Sequence, residues 1–323
     1  MTMQPNPISN KEAADFLRSH DNFLIINHIR PDGDAVGCAA ALCLGLRALG
    51  KTASVWKNPQ TTDRYIPYLS GLEVTSEPEK ACLITVDTAS ETMFPLNGRS
   101  FTGRVSLAID HHPSNSFYAT VTDVHPDAAA CGEIILEILK LLGISLTKEI
   151  ADALYVAVST DTGCFKYSNV TPATLHTAAE LKAAGADTYA INKVMFDTKT
   201  IARLRVEALL TSTVEFYAAG LVAVCTLENS KLDEIGATED DIDNISGFPR
   251  SIEGVGIGVM IRDLREGGSK VSLRTEAGYN ATRICASLGG GGHAAAAGAT
   301  VQASLAETRR MVLKAIADSG VAL

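Results

Sequence analysis

The chain has 323 residues, 46% hydrophobic and 20% charged, enough for two domains at about 100–200 residues each. Its formal net charge of −9 comes without a basic run, which excludes a long duplex held by many Lys/Arg–phosphate contacts. No stretch approaches the ~20 uninterrupted apolar residues of a membrane span, and the N-terminus lacks a basic region followed by an apolar one. The expected location is the cytoplasm. Seven scattered cysteines without a C-x-x-C pair read as buried small hydrophobes in a reducing compartment, not as a disulfide framework or a thiolate zinc site.

In chain order, Ser9-Asn-Lys-Glu12 reads as a capping box opening a helix to about Ser19. Phe23 to Asn27 is a compact apolar run, expected to be a buried strand. The loop His28-Ile-Arg-Pro-Asp32-Gly-Asp34 follows it and leads into a helix over Ala35 to Leu49 that stops at Gly50. Thr52 to Trp56 is a second strand, Ala81 to Val86 a third that ends on Asp87, and Val105 to Ile109 a fourth that ends on Asp110-His111-His112. A short polar strand is expected at Tyr118 to Thr122, then helices over Ala128 to Leu142 and Thr147 to Ser159. The latter runs into the acidic turn Thr160-Asp161-Thr-Gly163. Thr171-Pro172 starts another helix, and Ala190 to about Tyr217 reads as helical and polar enough to bridge two domains.

The expected organisation is therefore an α/β chain: a parallel-sheet domain over 1–196, a helical linker over 197–218, and a smaller α/β domain over 219–323. In the last, Leu221 to Leu227, Val255 to Ile261 and Lys270 to Arg274 are strand-like, and Ala281 to Leu288 and Leu305 to Ala317 helix-like. Between them lies the tract Gly289-Gly290-Gly291-Gly292-His293-Ala-Ala-Ala-Ala-Gly298.

Three apolar strands finishing on acidic or histidine residues carry the central inference, because the carboxyl ends of parallel strands share one edge. His28, Asp32, Asp34, Asp87, His111 and Asp161 would converge there. An Asp beside a Gly is ordinarily a turn residue, but four such clusters at the ends of apolar segments are hard to explain as turns. A His/Asp set without thiolate suits manganese, iron, cobalt or magnesium, and six ligands suit two ions sharing a carboxylate. Such pairs act on phosphoryl groups.

The motifs His28-x-x-Pro-Asp-Gly-Asp34-Ala, Thr85-Val-Asp87, Asp110-His-His112 and Thr160-Asp-Thr-Gly163, with the terminal Gly-Gly-Gly-Gly-His-x-x-Ala-Ala-Gly, resemble those of the DHH phosphoesterase superfamily and its DHH-associated C-terminal domain. At this length the chain most resembles the bacterial oligoribonuclease (nanoRNase) and pAp-phosphatase branch. The resemblance implies one metal on His28, Asp32 and Asp87, and another on Asp34, Asp87, His111 and Asp161, with Asp87 shared and manganese the favoured ion. It implies that Asp110 orients the histidine pair and that His112 touches the scissile phosphate or protonates the leaving oxygen. Pro113 after the histidine pair departs from some relatives without touching the metal set.

On the substrate side the residues alone leave two readings open. A four-glycine run lets backbone N–H groups approach a phosphate, or it is a tight turn. Arg262 and Arg274, each at a strand end, could fork onto a phosphate; Arg203 and Arg283 are weaker candidates. The resemblance implies that Arg262 and the Gly290-Gly291-Gly292-His293 loop hold the non-scissile end of a nucleotide.

The implied function is a manganese-dependent phosphodiesterase acting on short single-stranded RNA, with pAp to AMP as a further activity. A homodimer is compatible with it, and no membrane partner is expected. Hydrolysis of linear or cyclic dinucleotides such as pApA or pGpG is an alternative with identical chemistry. A non-hydrolytic nucleotide- or RNA-binding protein is an alternative of another class.

Overall fold

The computed structural model describes residues 6–242 and 244–323. The first residues, on which the expectation of no signal segment rests, lie outside that range. The chain divides into two compact units between Thr198 and Lys199.

The first unit is a six-stranded, all-parallel sheet built from β1 (Phe23–Ile26), β2 (Ala53–Trp56), β3 (Glu73–Val74), β4 (Cys82–Val86), β5 (Leu107–Asp110) and β6 (Val121–Val124). Its order is β3-β2-β1-β4-β5-β6, so the winding reverses between β1 and β4, where open α/β sheets bind ligands. Alternate residues face opposite sides. Phe23, Ile25, Val55, Ile84, Val86, Leu107 and Ile109 belong to one core, with α1 (Asn10–Ser19), α2 (Gly33–Ala48), α4 (Cys131–Leu141) and α5 (Lys148–Asp161). Leu24, Ile26, Trp56, Leu83 and Ala108 belong to the other, with Phe94 and Phe101. A strand buried on both faces reads as an unbroken apolar run, which is why these strands are visible in the sequence. The short helix α3 (Ile66–Leu69) and the helices α6 (Pro172–Ala183) and α7 (Thr188–Asn192) complete the unit.

The capping box is present: Ser9 N–H donates to Glu12 Oε2 at 2.9 Å and Glu12 N–H to Ser9 Oγ at 3.4 Å. The expected polar strand at Tyr118 to Thr122 is displaced to Val121–Val124, because Asn115 to Tyr118 are drawn into side-chain bonds beneath the sheet edge. The long helical reading over Ala190 to Tyr217 is broken. After α7 and a π turn (Lys193–Asp197), Thr198 is extended, and Thr200 caps a new helix, α8 (Ile201–Thr213), by accepting from Arg203 N–H at 2.9 Å. Glu215–Tyr217 is not helix but strand, β7, which pairs antiparallel with β8 (Val222–Leu227).

The second unit is a mixed sheet in the order β11-β12-β10-β9-β8-β7, with β9 (Ile257–Asp263), β10 (Ser269–Thr275), β11 (Gly291–Gly292) and β12 (Ala296–Val301). Among the described residues of this sheet, only β8 and β9 pair in parallel. One face packs Val222, Val224, Ile257, Val259, Ile261, Val271 and Leu273 against α10 (Ala281–Ala286) and α11 (Leu305–Asp318). On the other, Cys225, Leu227 and Met260 meet Val206 and Leu210 of α8 and Leu232 of α9 (Asn229–Ile235). Two strands in the glycine/alanine tract were not expected: Ala296, Ala297 and Gly298 open β12, and Gly291 and Gly292 form β11.

All seven cysteines are free. No helix among the described residues is long and apolar enough to cross a membrane.

Helices α2 and α5 touch almost backbone to backbone. A Cβ at Gly33 would run into the Thr160 side chain, and one at Gly37 into the carbonyl oxygen of Ala153. Gly37→Val should therefore destabilise the first unit by about 1–3 kcal/mol through overpacking, read as a lower melting temperature. An unchanged melt would contradict this account of the helix pair.

Candidate metal centre

Every residue of the expected metal set stands at the carboxyl edge of the first sheet, and each is fixed by a local device. His28 follows β1; its Nδ1 bonds the carbonyl of Ile29 at 2.8 Å, which turns Nε2 inward. Asn58, buried, donates to the carbonyl of His28 at 2.9 Å. Asp32 caps α2, its Oδ1 accepting from the N–H groups of Asp34 and Ala35, each at 3.1 Å. Asp34, in the first turn of α2, is bound across the fold by the first N–H groups of α4: Cys131 N at 2.6 Å and Gly132 N at 2.9 Å. The thiol of Cys38 adds a third bond, to Asp34 Oδ1, at 3.1 Å.

Asp87 follows β4 in a left-handed conformation, φ 49°, unusual for a residue with a Cβ. Its N–H is held by the carbonyl of Ile109 at 2.9 Å. His111 follows β5, with Nδ1 at 3.2 Å from the carbonyl of Ala128. Asp161 is the last residue of α5. Asn169 ties that helix end to the loop before α4, donating to the carbonyls of Asp161 and Ala129 at 3.2 and 3.0 Å.

The two oxygens of Asp87 face two different groups. Oδ2 lies 3.7 Å from His28 Nε2, itself 3.9 Å from Asp32 Oδ1. Oδ1 lies 3.5 Å from His111 Nε2, which is 3.8 Å from Asp34 and 3.6 Å from Asp161. His28–Asp32–Asp87 and Asp34–His111–Asp161 are each gathered with ligand atoms within 4.8 Å of one another, as is Asp87–His111–His112. In the last group the nearest atom of His112 is Nδ1, at 3.6 Å from Asp87, and that nitrogen is already taken by Asp110 Oδ1 at 2.7 Å. Asp110 lies fully buried beneath the histidine pair.

The electrostatics call for a cation. Asp34 and Asp87 are buried, and among the described residues only histidines come within ion-pair reach of this carboxylate cluster. Burial, then the neighbouring Asp87 and Asp161, push the Asp34 carboxyl well above its ordinary range. Burial, with Asp32 and Asp87, raises Asp161 to about 7 against the pull of His111. His111 resists burial because Asp87, Asp34 and Asp161 surround it, and its pKa rises to about 11. Asp87 alone is held low, since the three histidines around it outweigh its burial. Its Oδ1 is nevertheless buried with no hydrogen-bond partner among the described residues. An orphaned carboxylate oxygen among histidine nitrogens fits divalent metal ions.

The expected substrate residues lie in the second unit. Arg262 on β9 donates to Glu239 at 3.0 Å. Arg274 on β10 donates to Ser246 Oγ at 3.1 Å and to the carbonyl of Leu273 at 2.9 Å. In register Arg262 pairs with Lys270 and Arg274 with Gly258, so the two arginines stand four residues apart along the sheet, about 13 Å. Arg274 also pairs with Ala296, beside the turn that carries the exposed His293. The glycine run leads into the edge strand β11: a Cβ at Gly290 or Gly292 would strike the backbone of β12, whereas Gly291 faces open space. Arg203 is engaged within the unit by Glu207 at 2.9 Å and the carbonyl of Asp241 at 3.1 Å.

Sequence reasoning missed Asn58, Asn115 and Asn169, three asparagines that brace the site. Asn115, three residues after the histidine pair, was the one whose position could have been noticed.

Residues 22–158 match the DHH family, N-terminal domain, and residues 219–319 the DHHA1 domain. The chain is 35% identical over 300 residues to the bifunctional oligoribonuclease and PAP phosphatase NrnA of Thermus thermophilus, covering 91% of this chain and 89% of that one. It is 26% identical over 287 residues to the protein of the same name from Bacillus subtilis, covering 87% and 90%. Among solved structures, an exopolyphosphatase-related protein from Bacteroides fragilis superposes with a TM-score of 0.86 at 22% identity, over 96% of this chain and 95% of that one. It shares the fold.

The raised groups give a pH prediction for metal-free protein. The folded-state pKa of Asp161 is raised from 3.8 to about 7 and that of His111 from 6.5 to about 11, so the folded chain binds more protons than the unfolded one. The contribution of Asp161 is then lost as pH rises from about 4 to 7, and that of His111 from about 6.5 to 11. The melting temperature of chelator-treated protein should fall between pH 5 and pH 8, less steeply in Asp161→Asn. Added Mn²⁺ should raise it more at pH 8, since metal and protons compete for the same atoms. A metal effect independent of pH would contradict this electrostatic reading.

The chain belongs to the DHH phosphoesterase family, in the branch whose curated relatives are named bifunctional oligoribonuclease and PAP phosphatase.

Proposed function

We propose that this chain is a manganese-dependent hydrolase that releases mononucleotides from very short single-stranded RNA and converts pAp to AMP. The observation that carries the reading is the double-facing carboxylate of Asp87, in a chain so similar over nearly its whole length to relatives bearing those names. In this reading His28, Asp32 and Asp87 hold one ion, and Asp34, Asp87, His111 and Asp161 the other. The donor set of imidazole and carboxylate, without thiolate, favours manganese over zinc. Two such ions would supply Lewis-acid activation of water and neutralise charge on the phosphate.

The residues of the chain do the rest. Hydrolysis forms a bond from a water oxygen to phosphorus and breaks the bond to the leaving oxygen, which must gain a proton. His112 is the group for that transfer: its Nδ1 is committed to Asp110, leaving Nε2 to meet the leaving oxygen as a general acid. Asp110 fixes the ring plane and its tautomer, a role in which geometry matters more than charge. Arg262, Arg274, Gly290, Gly291, Gly292 and His293 bind the nucleotide that is not attacked, and the free cysteines suit a reducing cytoplasm.

Turnover of pAp, pApA, pGpG and RNA trimers, compared on one manganese-loaded preparation, tests the substrate. Preference for trimers and pAp is expected; turnover confined to pGpG would move the chain to another substrate class. Asp87→Asn should abolish activity and reduce bound metal at both positions, counted by elemental analysis, and loss of a single ion would refute the shared carboxylate. His293→Ala should raise KM and leave bound metal unchanged. A fall in metal content there would overturn the division of labour between the units.

A further inference from the structure

We propose that Asn115 is a positioning residue for this hydrolysis, acting on His112 through the buried carboxylate of Asp110. The inference rests on the reading of His112 as the group that meets the leaving oxygen. The two oxygens of Asp110 are bonded on separate sides. Oδ1 accepts from His111 N–H at 2.9 Å and from His112 Nδ1 at 2.7 Å. Oδ2 accepts from Asn115 Nδ2 at 2.6 Å, its one hydrogen-bond donor among the described residues.

The amide of Asn115 has a single sensible orientation. Its Oδ1 accepts from Phe117 N–H at 2.8 Å, so the Nδ2 end faces Asp110. Its own N–H donates to the carbonyl of His112 at 3.1 Å, closing a turn over 112–115, and two residues further on Phe117 sits in the left-handed region at φ 52°. Nδ2 also stands 3.5 Å from the carbonyl of Thr88, next in sequence to Asp87, and the Tyr118 hydroxyl donates to that same carbonyl at 2.9 Å. Residues 115–118 thus lace the support of His112 to the segment that carries Asp87.

A buried carboxylate oxygen left without a donor is strongly unfavourable. Without Asn115, Asp110 would rotate in search of another donor and draw Oδ1 away from His112. The imidazole would then lose the contact that sets its plane and its tautomer. A brace that served folding alone could be cut without a selective effect on chemistry. This one ends on an imidazole at the reaction centre, so its loss should be felt where a proton is needed.

Asn115→Leu and Asn115→Asp in the full chain with Mn²⁺ test this. The first removes the amide, and the second keeps its shape while placing a carboxyl against Asp110. Substrates are pAp, whose leaving oxygen needs a proton, and a p-nitrophenyl ester of a nucleoside 5′-phosphate, whose nitrophenolate departs without one. The kcat on pAp should fall by about 10–100-fold, the usual effect of removing an outer hydrogen-bond partner, with KM and bound Mn²⁺ per chain unchanged. The loss on the nitrophenyl ester should be much smaller. In an Asp110→Asn background, Asn115→Leu should add little further, because both changes cut one chain of contacts.

Equal losses on the two substrates, multiplying losses in the double variant, or a fall in bound Mn²⁺ would each overturn the proposal. If Asn115→Leu fails to fold, Asn115→Asp carries the same comparison. Failure of the parent reading looks different: the wild-type chain with Mn²⁺ would then hydrolyse neither pAp nor short RNA.

Discussion

Like charge held together is the constraint on which the first unit depends. Asp32, Asp34, Asp87 and Asp161 converge where the winding of the sheet reverses. At an effective dielectric of about 20, two unit charges about 4 Å apart repel by about 4 kcal/mol, and several such pairs approach the whole stability of a domain. The protein answers partly with protons. Asp34 is pushed far up and His111 rises to about 11, so the imidazole stands in for missing positive charge. A pair of divalent ions would answer the same need and displace those protons, which ties metal affinity to pH.

Holding the carboxylates in place falls to packing. Asp34 cannot recoil, because the opening N–H groups of α4 grip it, and the positive end of that helix favours its charge. Those N–H groups can reach it only because Gly132 lets α4 close on Ala157 of α5. Gly33 and Gly37 do the same for α2 against α5, the helix that ends on Asp161. Three glycines with no side chain to offer chemistry therefore set the spacing of two carboxylates. The left-handed backbone of Asp87 belongs with them: strain of this kind persists only where surrounding bonds over-determine it, and here Ile109, Thr88 and Asn115 do so.

Much of this was legible because it is written in patterns that a single sequence carries. The inner strands β1, β2, β4 and β5 are buried and show as apolar runs, and β1, β4 and β5 end on histidine or acidic residues for no reason that burial explains. What was not legible came from contacts between distant residues. Asn115 and Asn169 look like ordinary turn residues; their partners, Asp110 and the carbonyls of Ala129 and Asp161, are named only by the fold. The bridge at 190–217 was misread as one helix because periodicity does not reveal that Thr200 starts afresh or that Glu215–Tyr217 finds a strand partner in β8.

The glycine tract of the second unit shows where composition ceases to discriminate. As a sequence, four glycines fit a phosphate cradle and a tight turn equally well. In the fold, Gly290 and Gly292 are required by the close backbone of β12, so their presence is accounted for without a ligand. A glycine that packing demands cannot also count as evidence for an anion. The weight shifts to His293, which packing does not demand. It sits exposed on a turn closed by His293 N–H to the carbonyl of Ala296 at 2.7 Å. Thr275 Oγ1 and Ala281 N–H also hold the next carbonyl, that of Ala294, at 2.8 and 2.7 Å. A solvent-facing imidazole on so firmly pinned a turn gives the fold nothing, which is the physical reason to look there for the part of the substrate that is not cut.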